Sequence, residues 1–127
     1  MMGIRLYIIV LLCLLLAVGF ESTLPPTINN NVIPDLDKLA HFCVFGFMAY
    51  LIAILMVKIK LQIPLWCLGF VSLILVTLLG MGNEWIQSFR PGRMVGMDDV
   101  LADMLGGLIW LTVWAMTRMR LKIDRLT

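Results

Sequence analysis

Four apolar stretches occupy most of the chain, at residues 6–20, 39–57, 65–81 and 100–116, the last of them containing Asp103. Each is about 15–19 residues long, close to the ~20 that a helix rising ~1.5 Å per residue needs to cross ~30 Å of hydrocarbon. The pattern predicts four membrane-crossing helices, at about residues 5–21, 36–58, 64–90 and 98–118, which form a single all-α, four-transmembrane-helix bundle over residues 1–127. Polar and turn-forming residues separate the stretches. Glu21, Ser22, Thr23 and Leu24, followed by Pro25-Pro26, Asn29 to Asn31 and Pro34, read as an extended loop that does not continue the first helix. Asp35 is placed to cap the second helix, with Asp37 in its first turn, where the helix dipole favours an acid. The third helix is expected to reach Phe89 or Arg90, where Pro91-Gly92 stops it, and Asp98 to cap the fourth. The first stretch, which follows Arg5 and ends in Ala17-Val18-Gly19, is also similar to a secretory signal with a small-residue cleavage site. The leucine-dense run from Gly3 to Thr23 is long enough to act as an anchor and is read as one.

The composition requires lipid. Hydrophobic residues make up 61% of the 127 and charged residues 14%, against roughly 45–50% and about a quarter in a soluble domain. A core of this size cannot hide that excess, which excludes an ordinary soluble enzyme and a disordered tail. The net charge of +2 is too small, and the basic residues too scattered, to suggest a nucleic-acid partner, and none is expected. The positions of those basic residues predict an orientation. With the N-terminus cytoplasmic, Arg5, Lys58, Lys60, Arg118, Arg120, Lys122 and Arg125 lie inside, and only Lys38, Arg90 and Arg93 lie outside, as the positive-inside rule prefers. Both termini are then cytoplasmic. Trp66 and Trp114 fall toward the inner interface and Trp85 at the outer one. Cys13, Cys43 and Cys67 lie in apolar stretches without metal or redox spacing and read as packing residues.

Ionisable groups inside apolar helices cost roughly 2.5–3.5 kcal/mol each on insertion scales, so those that persist are functional candidates. On the second helix Lys38 and His41 share a face with Asp37. On the third, Glu84, Gln87 and Ser88 follow i, i+3, i+4 spacing, with Gly80 one turn earlier to admit a neighbouring backbone. On the fourth, Asp99 and Asp103 stand above Gly106-Gly107, a pair suited to close helix packing. Each set lies at the same, outer end of its helix. A bundle that buries those faces gathers Lys38, His41, Glu84, Gln87, Asp99 and Asp103 into one outward-opening pocket, with Arg90 and Arg93 on the connection above it.

Three segments carry a resemblance. Asp37-Lys38-Leu39-Ala40-His41-Phe42, Asn83-Glu84-Trp85-Ile86-Gln87-Ser88-Phe89-Arg90-Pro91-Gly92-Arg93, and Asp99-Val100-Leu101-Ala102-Asp103-Met104-Leu105-Gly106 resemble, in this order, the VanZ-like membrane proteins. Asp103 stands where that family usually has asparagine, which adds a carboxylate to the pocket. The resemblance implies a bacterial cytoplasmic (inner) membrane protein of the cell envelope, in some members linked to resistance to the glycopeptide teicoplanin.

The pocket admits several readings. In the first, Lys38, His41 and Arg93 hold the anionic headgroup of a membrane lipid or cell-wall precursor, while the carboxylates fix those cations. In the second, His41 and Glu84 are the acid/base pair of a small membrane-embedded hydrolase or transferase acting on a lipid-linked substrate, with the arginine stabilising an oxyanion. A proton relay ranks below both, because polar groups do not continue into the cytoplasmic half. Divalent metal on His41, Glu84, Asp99 and Asp103 is disfavoured by the positive side chains around the set, so neither metal nor cofactor is expected. Ser88 is the only hydroxyl read beside the polar set, and nothing activates it.

Overall fold

The computed structural model of the chain describes residues 3–24, 36–91 and 96–123. The side chains of Asp37 and of residues 120–123 lie outside that description. Among the described residues there are four α-helices and no strand: α1 (Ile4–Thr23), α2 (Leu36–Lys58), α3 (Leu65–Gln87) and α4 (Met97–Ile123). Each is long and apolar enough to cross a membrane. The outer surface carries many large apolar side chains, with Leu16, Phe20, Trp66 and Phe70 each more than half exposed. Such a surface is stable in hydrocarbon and unstable in water.

The end of α1, the start of α2, the end of α3 and the start of α4 come together, so successive helices run up and down. At the opposite end the ammonium of Lys58 lies 5.0 Å from the ring centre of Tyr7, tying the end of α2 to the start of α1. The short connection from α2 to α3 contains a left-handed residue, Lys60 at φ 58°. The Lys60 amide donates to Val57 O and the Leu61 amide to Met56 O, which closes the helix as a Schellman turn.

The tightest contact is between α2 and α4. A side chain built on Gly106 would overlap the backbone carbonyl of Phe42, and one on Gly46 would overlap Trp110 and the backbone of Gly106. Below this crossing, Phe45, Met48, Ala49, Ala53, Val76, Leu111 and Trp114 form the buried core. In lipid there is no hydrophobic drive between helices, so close backbone approach at small residues supplies the packing energy. Helix α1 touches α2 and α3 and, among the described residues, does not reach α4.

Several expectations are corrected. Glu21, Ser22 and Thr23 continue α1 as its last turn, where Ser22 Oγ donates to Val18 O at 2.8 Å and Thr23 Oγ1 to Phe20 O at 2.7 Å. The restriction that Pro25 imposes falls on Leu24, which is extended. Helix α3 ends at Gln87, and residues 88–90 tighten into turns closed by bonds such as Arg90 N–H to Gln87 O, because Pro91 disfavours helical geometry at Arg90. Trp66 and Trp85 are exposed, but Trp114 is turned into the core at 3% exposure, with the Arg118 guanidinium 6.0 Å from its ring centre. Cys13 and Cys43 face outward and Cys67 is half-buried. Asp35 as a cap, the residues 25–34 and the basic residues beyond 123 lie outside the described residues.

Candidate functional site

Among the described residues eight polar or charged side chains are buried, and all but Ser72 sit at the end of the bundle where the four helix tips meet. They are Ser22 on α1, His41 on α2, Asn83, Glu84 and Gln87 on α3, and Asp99 and Asp103 on α4. Helical periodicity explains each set: residues three and four apart face the same way, so burying Gly80 also buries Glu84 and Gln87, and burying Gly106 and Gly107 also buries Asp103 and Asp99.

The pocket's centre is a histidine held by a carboxylate. His41 Nδ1 lies 3.0 Å from Asp103 Oδ1, with Asp103 fully buried. A carboxylate only accepts, so the tautomer that makes this bond carries its proton on Nδ1. The imidazole is held from the other side by Phe45, whose ring stacks on it at 5.5 Å and 4°. The carboxylate's second oxygen, Oδ2, rests against Gly80 and has no hydrogen-bond partner. Gly80 therefore makes room for a side chain of α4, where a neighbouring backbone was expected.

Glu84 and Asp99 complete the centre. One nitrogen of His41, one carboxylate oxygen of Glu84 and one of Asp99 all lie within 4.8 Å of one another, and all three residues are buried. Glu84 Oε2 accepts the Gly96 amide at 3.2 Å, which ties the foot of α4 to α3. Its other oxygen, Oε1, has no partner, and neither does Gln87 Nε2. Buried polar atoms without partners are uncommon in a settled interior and mark places where a ligand, an ion or water completes the bonding.

The rim differs from the expectation in two respects. Lys38 Nζ forms a 3.2 Å ion pair with Asp98 Oδ2, both side chains being partly exposed. Helix α4 opens at Met97, so Asp98 lies in its first turn and its carboxylate links α4 to α2, where a cap had been expected. Ser88 is exposed and donates to Trp85 O at 2.6 Å. The buried hydroxyl beside the site is that of Ser22, which has Val18 O and the side-chain oxygen of Asn83 as neighbours. With one proton to give, Ser22 donates to Val18 and can accept from the nearly symmetric Asn83 amide. Arg90 is exposed at the same end. Arg93 and the side chain of Asp37 lie outside the described residues.

Two clefts flank the centre. One, of about 330 Å³, is lined by Leu14, Ala17 and Val18 of α1 and Val44 and Phe45 of α2, and ends on Glu21, His41 and Asn83. The other, of about 210 Å³, lies between α3 and α4 and runs from Met81, Trp85, Met97 and Val100 to Glu84 and Gly96. His41 thus faces one apolar cleft and Glu84 the other. Each cleft has the polarity of an amphiphile, greasy along its wall and hydrophilic at one end.

The chain matches the family described as VanZ/LLP1 over residues 2–118. No curated protein and no solved structure matches it.

Proposed function

We propose, from the premise that this chain belongs to the VanZ/LLP1 family, that it is a multi-pass protein of the bacterial cytoplasmic membrane whose polar centre binds the anionic headgroup of a membrane lipid or cell-wall precursor. The observation that carries this reading is the cleft between α1 and α2. Its wall is apolar and its polar end is formed by His41 and Asn83 with Glu21 beside them, so a lipid-linked molecule would lay its hydrocarbon along α1 and α2 and bring its headgroup to the imidazole. Lys38, ion-paired with Asp98 on the rim, and Arg93, which lies in the sequence between α3 and α4, are the basic residues that would attract the headgroup. Gln87 and Asn83 offer amide donors in the buried part of the site. The positive-inside distribution supports an orientation with this end of the bundle outside the cell and both termini in the cytoplasm.

The test is retention of lipid through purification. Wild-type protein should carry an anionic lipid or precursor detectable by native mass spectrometry, and His41→Ala and Arg93→Ala should carry markedly less while remaining folded. Cells expressing wild-type protein should differ in teicoplanin susceptibility from cells expressing either variant. Equal retention in all three proteins would contradict the reading.

A catalytic reading is favoured by one observation, the Asp103–His41 pair. A carboxylate on Nδ1 fixes the tautomer in which Nε2 is the basic nitrogen, the one that would exchange a proton with a substrate, with Glu84 as the second member of an acid/base pair. Turnover of a lipid-linked precursor that disappears in Glu84→Gln would establish a hydrolase or transferase.

A further inference from the structure

We infer that His41, Glu84 and Asp99 form a binding site for a divalent transition-metal ion, with Asp103 as the residue that orients the histidine. The three side chains come from three different helices, and one donor atom of each lies within 4.8 Å of the other two. Bonds to such an ion are about 2.0–2.2 Å long, so ligand atoms around it stand roughly 3–4 Å apart. Small side-chain rotations close the set to that spacing. One imidazole and two carboxylates make a donor set suited to Zn²⁺ or Mn²⁺ and leave coordination positions open toward the clefts.

Two observations independent of this proximity point to a cation. The first is Glu84, 4% exposed, whose Oε1 has no hydrogen-bond partner while Oε2 is held by the Gly96 amide. A buried carboxylate oxygen with nothing to accept from is costly in a membrane, and an ion supplies the missing partner. The second is the Asp103–His41 pair. Metal-bound histidines nearly always donate their other ring N–H to a carboxylate or carbonyl, which sets the tautomer and raises the ligand's basicity. Asp103 Oδ1, at 3.0 Å from Nδ1, occupies that position, and Nε2 is then the ring nitrogen that would coordinate the ion. The ammonium of Lys38, the basic group nearest in sequence, is paired at the rim with Asp98. A bound ion would also add positive charge to this acidic centre. The site shares its residues with the headgroup reading, but metal binding is measured without lipid, so either can fail without the other.

The experiment uses the full chain in detergent with any affinity tag removed. After chelation and dialysis, titration with Zn²⁺ should show one equivalent bound per chain. His41→Ala, Glu84→Gln and Asp99→Asn should abolish stoichiometric binding, and Asp103→Asn should weaken it about 10- to 100-fold while leaving one site. Co²⁺ added to the wild-type protein should produce visible absorption bands characteristic of nitrogen and oxygen ligation, a readout that does not depend on any variant folding. Wild-type protein that binds no stoichiometric Zn²⁺ and gives no Co²⁺ spectrum would overturn the inference, as would folded ligand variants that bind Zn²⁺ as tightly as wild type.

Discussion

The carboxylate of Asp103 rests against the bare Cα of Gly80, in the space that any side chain at position 80 would take. A glycine on α3 thereby determines whether an acid on α4 can reach a histidine on α2. Gly80→Ala would push Asp103 away from His41 and leave both buried without each other. Overpacking typically costs about 1–3 kcal/mol, and the broken pair adds to it. Gly80→Ala is expected to lower the thermal unfolding temperature and to abolish the additional effect of Asp103→Ala in the double variant. Additive losses in that cycle would mean that position 80 acts independently of the carboxylate.

The crossing of α2 and α4 makes a second prediction, about sign. At Gly106 an added methyl group meets the Phe42 carbonyl, which can move only if the helices separate, whereas at Gly19 of α1 nothing lies within 4 Å. Gly106→Ala should destabilise the bundle by about 1–3 kcal/mol. Gly19→Ala should be neutral or stabilising by up to about 1 kcal/mol through better helix propensity. Steric-trapping or denaturant unfolding in mixed micelles measures both, and a shift of the same sign for the two variants would contradict this packing.

Helix α1 is the least anchored of the four, and the contact between Ser22 and Asn83 joins it to α3 at the site's end. Ser22→Ala removes the bond and leaves a buried amide short of a partner, which costs about 1–3 kcal/mol. Replacing both residues, Ser22→Ala with Asn83→Ala, should cost clearly less than the sum of the single changes. Full additivity would show that the two side chains do not interact.

The parts of this structure legible in the sequence are those governed by single-helix periodicity. Hydropathy located all four helices, with α2 at its observed limits, because lipid demands long apolar runs. The same periodicity put His41, Glu84, Gln87, Asp99 and Asp103 at one end of the bundle, and all five are buried there. What escaped depends on contacts between helices. Ser22 looks like a loop residue until the turn of α1 that faces Asn83 is known. Asp98 has two uses at a helix start, as a cap or as an ion-pair partner, and only the approach of Lys38 decides between them. Gly80 signalled close packing correctly, but spacing along α3 says nothing about whether a backbone or the side chain of Asp103 fills the space.

The central claim is that the buried centre reached through the α1–α2 cleft recognises an anionic headgroup, and the most direct measurement is a matched lipid titration. Short-chain anionic and zwitterionic phospholipids with the same acyl chains are titrated into the detergent-solubilised protein, with tryptophan fluorescence as the readout. Saturable binding of the anionic lipid, at least ten times tighter than the zwitterionic one and lost in His41→Ala, is the expected result. Equal affinity for the two lipids, or anionic binding undiminished in His41→Ala, would contradict it.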